Sequence, residues 1–325
     1  MRVAIPLFLT LGISLRYAVA LPTDSPRPLV LWHGLGDSHS SPGMLEFQDM
    51  IKDIHPGIFI HSIWIEDALD KDREASFYGN VNTQLEFVAD ELASIPELQG
   101  GFDAIGFSQG GQFLRAYIER YNQPPMHNLI TFGSQHLGIA DIPECSKYDI
   151  LCKTARRIVL GAVYGDWAQE NLIQAQYFRN PTRYEEYLVA NRFLPDINNE
   201  VPGQRNATYK DNLTSLNSLV LVIFAKDKTV VPKESAWFGY EELSSGNFAG
   251  PTQSADDSQH ALASTPLMGK TIIPMRQQPI YTEDWIGLKE LDEAGRIVLG
   301  VCDGEHMQLN GCWKEYVEKY VGTPT

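Results

Sequence analysis

The sequence predicts an α/β protein built on a mostly parallel sheet with helices on both faces. Two observations lead there. Apolar runs of strand length recur along the chain, as PLVLWHG (28–34), IFIHSIW (58–64), FDAIGF (102–107), NLITFGS (128–134), SLVLVIFAKD (218–227) and GRIVLGVCDGEH (295–306). Segments of helical periodicity separate the early ones, and strand–helix alternation is what a parallel sheet covered on both faces requires. A third observation fits: 43% apolar and 21% charged residues over 325 positions is the balance of a globular chain.

Taken in order, PLVLWHG ends in glycine, as a buried parallel strand does at its turn. Ser41-Pro42 offers a cap and a first-turn proline for a helix running toward Ile54. IFIHSIW reads as the next strand. Val81, Leu85, Val88 and Leu92 then recur at helical spacing and make one apolar face. FDAIGF is the third strand, Gln112 to Tyr121 the helix after it, and NLITFGS the fourth strand. From about Gly138 to Leu216 no strand is evident and the segment reads as a helical insertion. Ile158, Val159, Ala162, Val163 and Trp167 form one apolar face there, and Leu172, Ile173 and Tyr177 another. SLVLVIFAKD resumes the strand pattern, residues 244–275 are polar and read as a surface loop, and GRIVLGVCDGEH supplies the last strand. Residues 21–325 are expected to form one domain.

The first twenty residues have Arg2, an apolar run from Val3 to Leu15 and small residues at Ala18 and Ala20. This is the pattern of an export leader cleaved after Ala20, since the run falls short of the roughly 20 residues that span a bilayer. Export permits disulfides. Four cysteines allow three pairings, and the simplest closes two local loops, Cys145 with Cys152 and Cys302 with Cys312. No Cys-x-x-Cys or Cys/His ligand spacing suggests a metal. Asn206-Ala-Thr208 and Asn212-Leu-Thr214 are glycosylation sequons. A net charge of −15 without any basic cluster disfavours a nucleic-acid partner.

Gly106-Phe-Ser108-Gln-Gly110 places one serine between two glycines, after a strand and before a helix. A serine hydroxyl is a weak nucleophile and needs a base that a third group orients. The strand–turn–helix context is that of the nucleophile elbow in the α/β-hydrolase fold, where acid and then histidine follow in chain order, each after a strand. Ser108 is thus expected to be an exposed nucleophile. Of the histidines beyond it, His127 precedes a strand, His136 leaves no room for an acid-bearing strand, and His260 sits in the polar loop. His306 follows the last strand. Asp227 ends LVLVIFAKD and fits the acid, with Asp303 as its rival beside His306. Two backbone N–H groups should face the oxyanion. Gln109, following the nucleophile, supplies one, and Leu35 in the glycine-containing loop HGLGDS (33–38) supplies the other.

With this set assembled, the chain resembles the palmitoyl-protein thioesterases, soluble lysosomal enzymes that remove fatty acyl groups from cysteine. The likeness runs from about residue 28 to 320 and rests on HGLGDS, GFSQGGQFLRAY, PPMHNLITFGSQHLG, AQYFRNP, WFGY, GLKELDEAG and DGEHMQL. GFSQGG is shared in kind with cytosolic acyl-protein thioesterases and carboxylesterases; the later segments narrow the likeness to one family. It implies Ser108 as nucleophile, Asp227 as acid, His306 as base, and Leu35 and Gln109 as oxyanion donors. The Cys145–Cys152 loop resembles a disulfide of the family. The family's other cysteine pairs are missing, Cys302 and Cys312 look like a local addition, and the 244–275 loop looks longer.

The activity so implied is hydrolysis of long-chain acyl thioesters on proteins or peptides through an acyl-enzyme, without metal or organic cofactor, in the lysosome or vacuole or after secretion. A lipase or carboxylesterase acting on oxygen esters with the same triad is the nearest rival, and a catalytically dead hydrolase fold used for binding is another. The acyl chain needs an apolar groove, expected from the insertion through Ile158, Val159, Val163, Trp167 and Leu172.

Overall fold

A computed structural model describes residues 25–142, 160–244 and 269–323. The expected leader, the Cys145–Cys152 loop, Ile158, Val159 and His260 lie outside them. Six strands form one parallel sheet: β1 (Leu29–Trp32), β2 (Ile60–Ser62), β3 (Phe102–Phe107), β4 (Met126–Phe132), β5 (Ser218–Phe224) and β8 (Ile297–Cys302). Their order is β2-β1-β3-β4-β5-β8, every neighbouring pair parallel. Helices α1 (Pro42–Ile54), α2 (Leu69–Ala75), α3 (Val81–Ser94) and α4 (Gln109–Arg120) punctuate the first half. This topology, with a serine at the β3–α4 turn, is the α/β-hydrolase fold.

Strand periodicity explains the two cores. Val30, Trp32, Ala104, Leu129, Leu219 and Leu221 face a cluster completed by α3, α4 and the 160–216 segment. Leu29, Leu31, Ile105, Ile130, Val220 and Val222 face the other, completed by α1 and the C-terminal helix Lys314–Tyr320. Alternate residues thus serve opposite layers, so strands buried on both faces read as unbroken apolar runs. α1 begins as its sequence suggests: the Ser41 hydroxyl accepts from the Met44 N–H, Pro42 opens the first turn, and Met44, Phe47 and Ile51 turn inward.

The insertion is helical where it is described, with helices at Asp166–Asn171, Tyr184–Ala190, Leu194–Ile197 and Ala207–Thr214 and 3₁₀ turns at Ile173–Tyr177 and Pro181–Arg183. Arg115 of α4 ties it to the sheet layer. This fully buried guanidinium donates to Glu119 Oε1, the His136 and Ile197 carbonyls and Asn198 Oδ1. The polar 244–275 segment is not loop throughout. Its end, β7 (Gly269–Ile273), pairs antiparallel with β6 (Tyr240–Ser244) as a separate two-stranded sheet. Among the described residues no helix is long and apolar enough to cross a membrane. Asn206 is an exposed helix cap, whereas Asn212 is half-buried and donates to the Glu119 carbonyl.

Asp103 on β3 ties the segment before β1 and the segment after the last helix onto the sheet. It accepts from Arg27, Asn128 and the Gly322 N–H. Burial pushes its carboxyl from 3.8 up to about 6, against the pull of Arg27 and these hydrogen bonds. A folded pKa above the unfolded one means that the folded chain binds more protons between those values, so this contribution is full below the unfolded pKa and fades as pH rises through the folded one. Relative to Asp103→Asn, the wild-type protein should lose up to about 3 kcal/mol of stability between pH 4 and 7. Parallel thermal melts of the two proteins across that range check this; a constant gap would contradict it.

Candidate active site

The nucleophile turn is built by glycines that leave no room for a side chain. A Cβ on Gly106 would run into the Gly111 backbone, and one on Gly110 into the carbonyl oxygens of Trp32 and His33. α4 therefore packs its first turn against the end of β1, which brings the HGLGDS loop beside Ser108. Gly34 sits so close that its Cβ would lie 3.1 Å from that of Ser108. Ser108 itself has φ 51° and ψ −122°, a conformation costly for a side-chain-bearing residue and a mark of the strained elbow. Its N–H is held by the Phe132 carbonyl at 2.8 Å.

The three residues singled out by chain order come together. His306 Nδ1 is 2.6 Å from Asp227 Oδ2, and Nε2 is 3.0 Å from Ser108 Oγ. A carboxylate only accepts, so Nδ1 carries the proton and the bare Nε2 accepts from the serine hydroxyl. Asp227 is fixed in turn, because its Oδ1 accepts from the N–H groups of Thr229 and Val230 at 2.8 and 3.0 Å. The turns after β5 and β8 are laced together by Ala225 N–H to Cys302 O and Lys226 N–H to Gly304 O, both 2.9 Å, which sets acid beside base. A disulfide joins Cys302 to Cys312, as the local pairing suggested, and closes the turn that carries His306. Gly133, at φ +60°, makes room for the imidazole: a Cβ there would lie 3.1 Å from His306 Cε1. The rival Asp303 is 80% exposed and pairs with Lys226 at the surface.

Gln109 opens α4, so its N–H has no intrahelical acceptor and is free to point out of the helix end. Its side chain clamps two other elements, donating to the Ser76 carbonyl and accepting from Tyr177 Oη. Leu35 and Ser108 line the same cleft. Ser108 is recessed at 8% exposure rather than exposed, because walls rise on both sides of it.

That cleft has a volume of about 530 Å³. Met44, Phe47 and Met50 of α1 form one wall, Met307 and Leu309 extend it beyond His306, and Ile139, Ile142 and Tyr177 face them. The insertion thus supplies only part of the lining. Val163, Trp167 and Leu172 instead line a second, almost wholly apolar cavity of about 320 Å³. Ile142 and Gln174 border both spaces, so the two adjoin. The α1 wall is missing from the sequence reading because Met44 and Phe47, three apart on a helix, look like core residues. Their position directly after the oxyanion loop is the signal that was available. Among the described residues no cluster of His, Cys, Asp or Glu could hold a metal ion.

Comparison with known proteins points to one family. A family model described as palmitoyl protein thioesterase matches residues 28–306. Palmitoyl-protein thioesterase 1 of Caenorhabditis elegans is 40% identical over 283 residues, 87% of each chain. Palmitoyl-protein thioesterase 3 of Dictyostelium discoideum is 34% identical over 287 residues, 86% of this chain and 84% of that one. Lysosomal thioesterase PPT2 of Rattus norvegicus is 27% identical over 275 residues, 84% and 80% of the two chains. A match over most of the chain, with relatives this similar along nearly their whole length, makes this protein a member of the palmitoyl protein thioesterase family.

Proposed function

We propose that the protein hydrolyses long-chain fatty acyl thioesters of cysteine, in proteins or peptides, through an acyl-enzyme on Ser108. The observation that carries this reading is the hydrogen-bonded chain from Asp227 through His306 to Ser108, opening on an apolar cleft. Ser108 Oγ attacks the thioester carbonyl as its proton passes to His306 Nε2, and the Leu35 and Gln109 N–H groups receive the negative charge on the carbonyl oxygen. Collapse breaks the C–S bond. A cysteine thiolate, with a pKa near 8.5, departs with little need of protonation and takes the proton from the imidazolium. Water then gives a proton to His306 and attacks the acyl-serine; the C–O bond to Ser108 breaks, its Oγ takes the proton back from His306 Nε2, and the fatty acid is released. Asp227 holds the imidazole in the required tautomer throughout.

Family membership favours thioesters over the oxygen esters of a lipase, and the rat relative's lysosomal name supports a lysosomal or secretory setting. Palmitoyl esters of matched acyl chain test the first point. The thioester of a cysteine peptide should be cleaved with kcat/KM at least about tenfold above that of its serine oxygen ester, reflecting the better leaving group. Faster cleavage of the oxygen ester would favour the lipase reading.

A further inference from the structure

Behind the oxyanion loop lies a second carboxylate–imidazole pair that the reaction outlined above does not use. Asp72, on α2, is completely buried. Its Oδ1 accepts from the Ile65 N–H at 2.8 Å, and its Oδ2 from the His39 N–H and His39 Nδ1, each at 2.9 Å. His33 Nε2 stands 3.2 Å from the same Oδ2, a close contact outside the geometry of a good hydrogen bond. On the other side of the ring, His33 Nδ1 is 3.0 Å from the Gly34 carbonyl oxygen. A carbonyl oxygen only accepts, so Nδ1 carries a proton.

The Gly34 carbonyl belongs to the same planar peptide unit as the Leu35 N–H, and in a trans peptide the two point in opposite directions. Whatever holds that carbonyl therefore aims that N–H. We propose that His33, backed by Asp72, is a positioning residue for the oxyanion hole: it grips the Gly34 carbonyl and so directs and polarises the Leu35 N–H toward the oxyanion at Ser108. Hydrogen bonds in series strengthen one another, so a donor on the carbonyl makes the N–H at the far edge of the same peptide a better donor.

Three features of the surroundings support the role. Burial would push the Asp72 carboxyl up, but the His33 imidazole beside it and the hydrogen bonds from the His39 and Ile65 backbone outweigh it and hold the group well below the usual carboxylate range. A fixed negative charge thus faces the rear of the ring. The rest of the loop is held from the same helix end: Gly36 N–H donates to Ser76 Oγ, and Arg73 Nε donates to the Gly36 carbonyl. The Gly34 carbonyl also accepts from the Asp37 N–H at 3.3 Å, which closes the turn around it.

The inference rests on Ser108 as nucleophile and Leu35 N–H as oxyanion donor, and its test is separable from theirs. The probe is a long-chain alkyl trifluoromethyl ketone, whose adduct with the serine carries the oxyanion, compared with the matching alcohol, which binds only through its chain. His33→Leu should lower kcat by about 10²-fold, as loss of one oxyanion donor does. It should weaken the ketone by a similar factor and leave KM and alcohol binding almost unchanged. Asparagine places its amide nitrogen near the position of Nδ1, so His33→Asn should recover most of the lost kcat. Asp72→Asn should cost kcat about tenfold by loosening the ring. Undiminished ketone affinity in Asp72→Asn overturns the proposal, even where His33→Leu does not fold. So does equal loss of ketone and alcohol binding, or a His33→Asn protein as slow as His33→Leu. Failure of the nucleophile reading would show separately, as activity surviving in Ser108→Ala with His33 and Asp72 intact.

Discussion

Ser108→Ala should lower turnover of a palmitoyl thioester by about 10⁴-fold or more, while the protein folds as before. The size of the effect follows from the geometry: the hydroxyl stands 3.0 Å from His306 Nε2, and alanine offers nothing to acylate. The stability effect should be small, within about 1 kcal/mol. Alanine keeps the Cβ and bears the same positive φ of 51°, so the strain of the turn is unchanged. The lost hydroxyl leaves His306 Nε2 facing the cleft, where water can replace it. Steady-state rates, a thermal melt and labelling by a fluorophosphonate probe measure the three parts. Labelling should vanish with activity, and more than a tenth of wild-type turnover in pure Ser108→Ala protein would place the nucleophile elsewhere.

Much of this site is readable in the sequence because each of its parts obeys a local rule. Strands buried on both faces leave apolar runs, and Ser108 and Asp227 sit within a few residues of where β3 and β5 stop; His306 follows β8, an edge strand with one face exposed that still reads as an apolar run. The glycines at 106 and 110 are visible for a steric reason that the packing of α4 on β1 makes plain. Parts defined by long-range contacts are not readable in this way. Asp72 is one acidic residue among several in LDKDREA, and two of its partners, His33 and His39, lie more than thirty positions back, while Ile65 lies seven back. The seven-residue helix that carries it has too little periodicity to stand out. Strands β6 and β7 are hidden because a two-stranded sheet separate from the main one has no doubly buried run to reveal it. For the acyl site, helical spacing shows which residues are apolar together but not whether they face a core or a cavity. Met44 and Phe47 do both, being nearly buried while their inner edges line the cleft.

The division of the apolar lining gives the second large expected effect. The cleft at Ser108 is walled by Met44, Phe47, Met50, Met307 and Leu309, with Ile139 and Tyr177 opposite. Each methylene moved from water onto such a surface gains about 0.8 kcal/mol, roughly fourfold in kcat/KM when the gain is expressed in the transition state. Ordering a flexible chain takes back part of this. We therefore expect kcat/KM to rise by about 10³-fold or more from acetyl to palmitoyl thioester, steeply at first and then to a plateau where the cleft is filled. The position of the plateau shows how far the chain runs. Should it pass Ile142 and Gln174 into the cavity lined by Val163, Trp167 and Leu172, then Leu172→Trp will depress the longest acyl chains alone. Met50→Trp, which narrows the first cleft, will depress medium and long chains together and penalise acetyl least. Equal kcat/KM for acetyl and palmitoyl thioesters would exclude an acyl groove in either space, because no binding energy from the chain would then be reaching the reaction at Ser108.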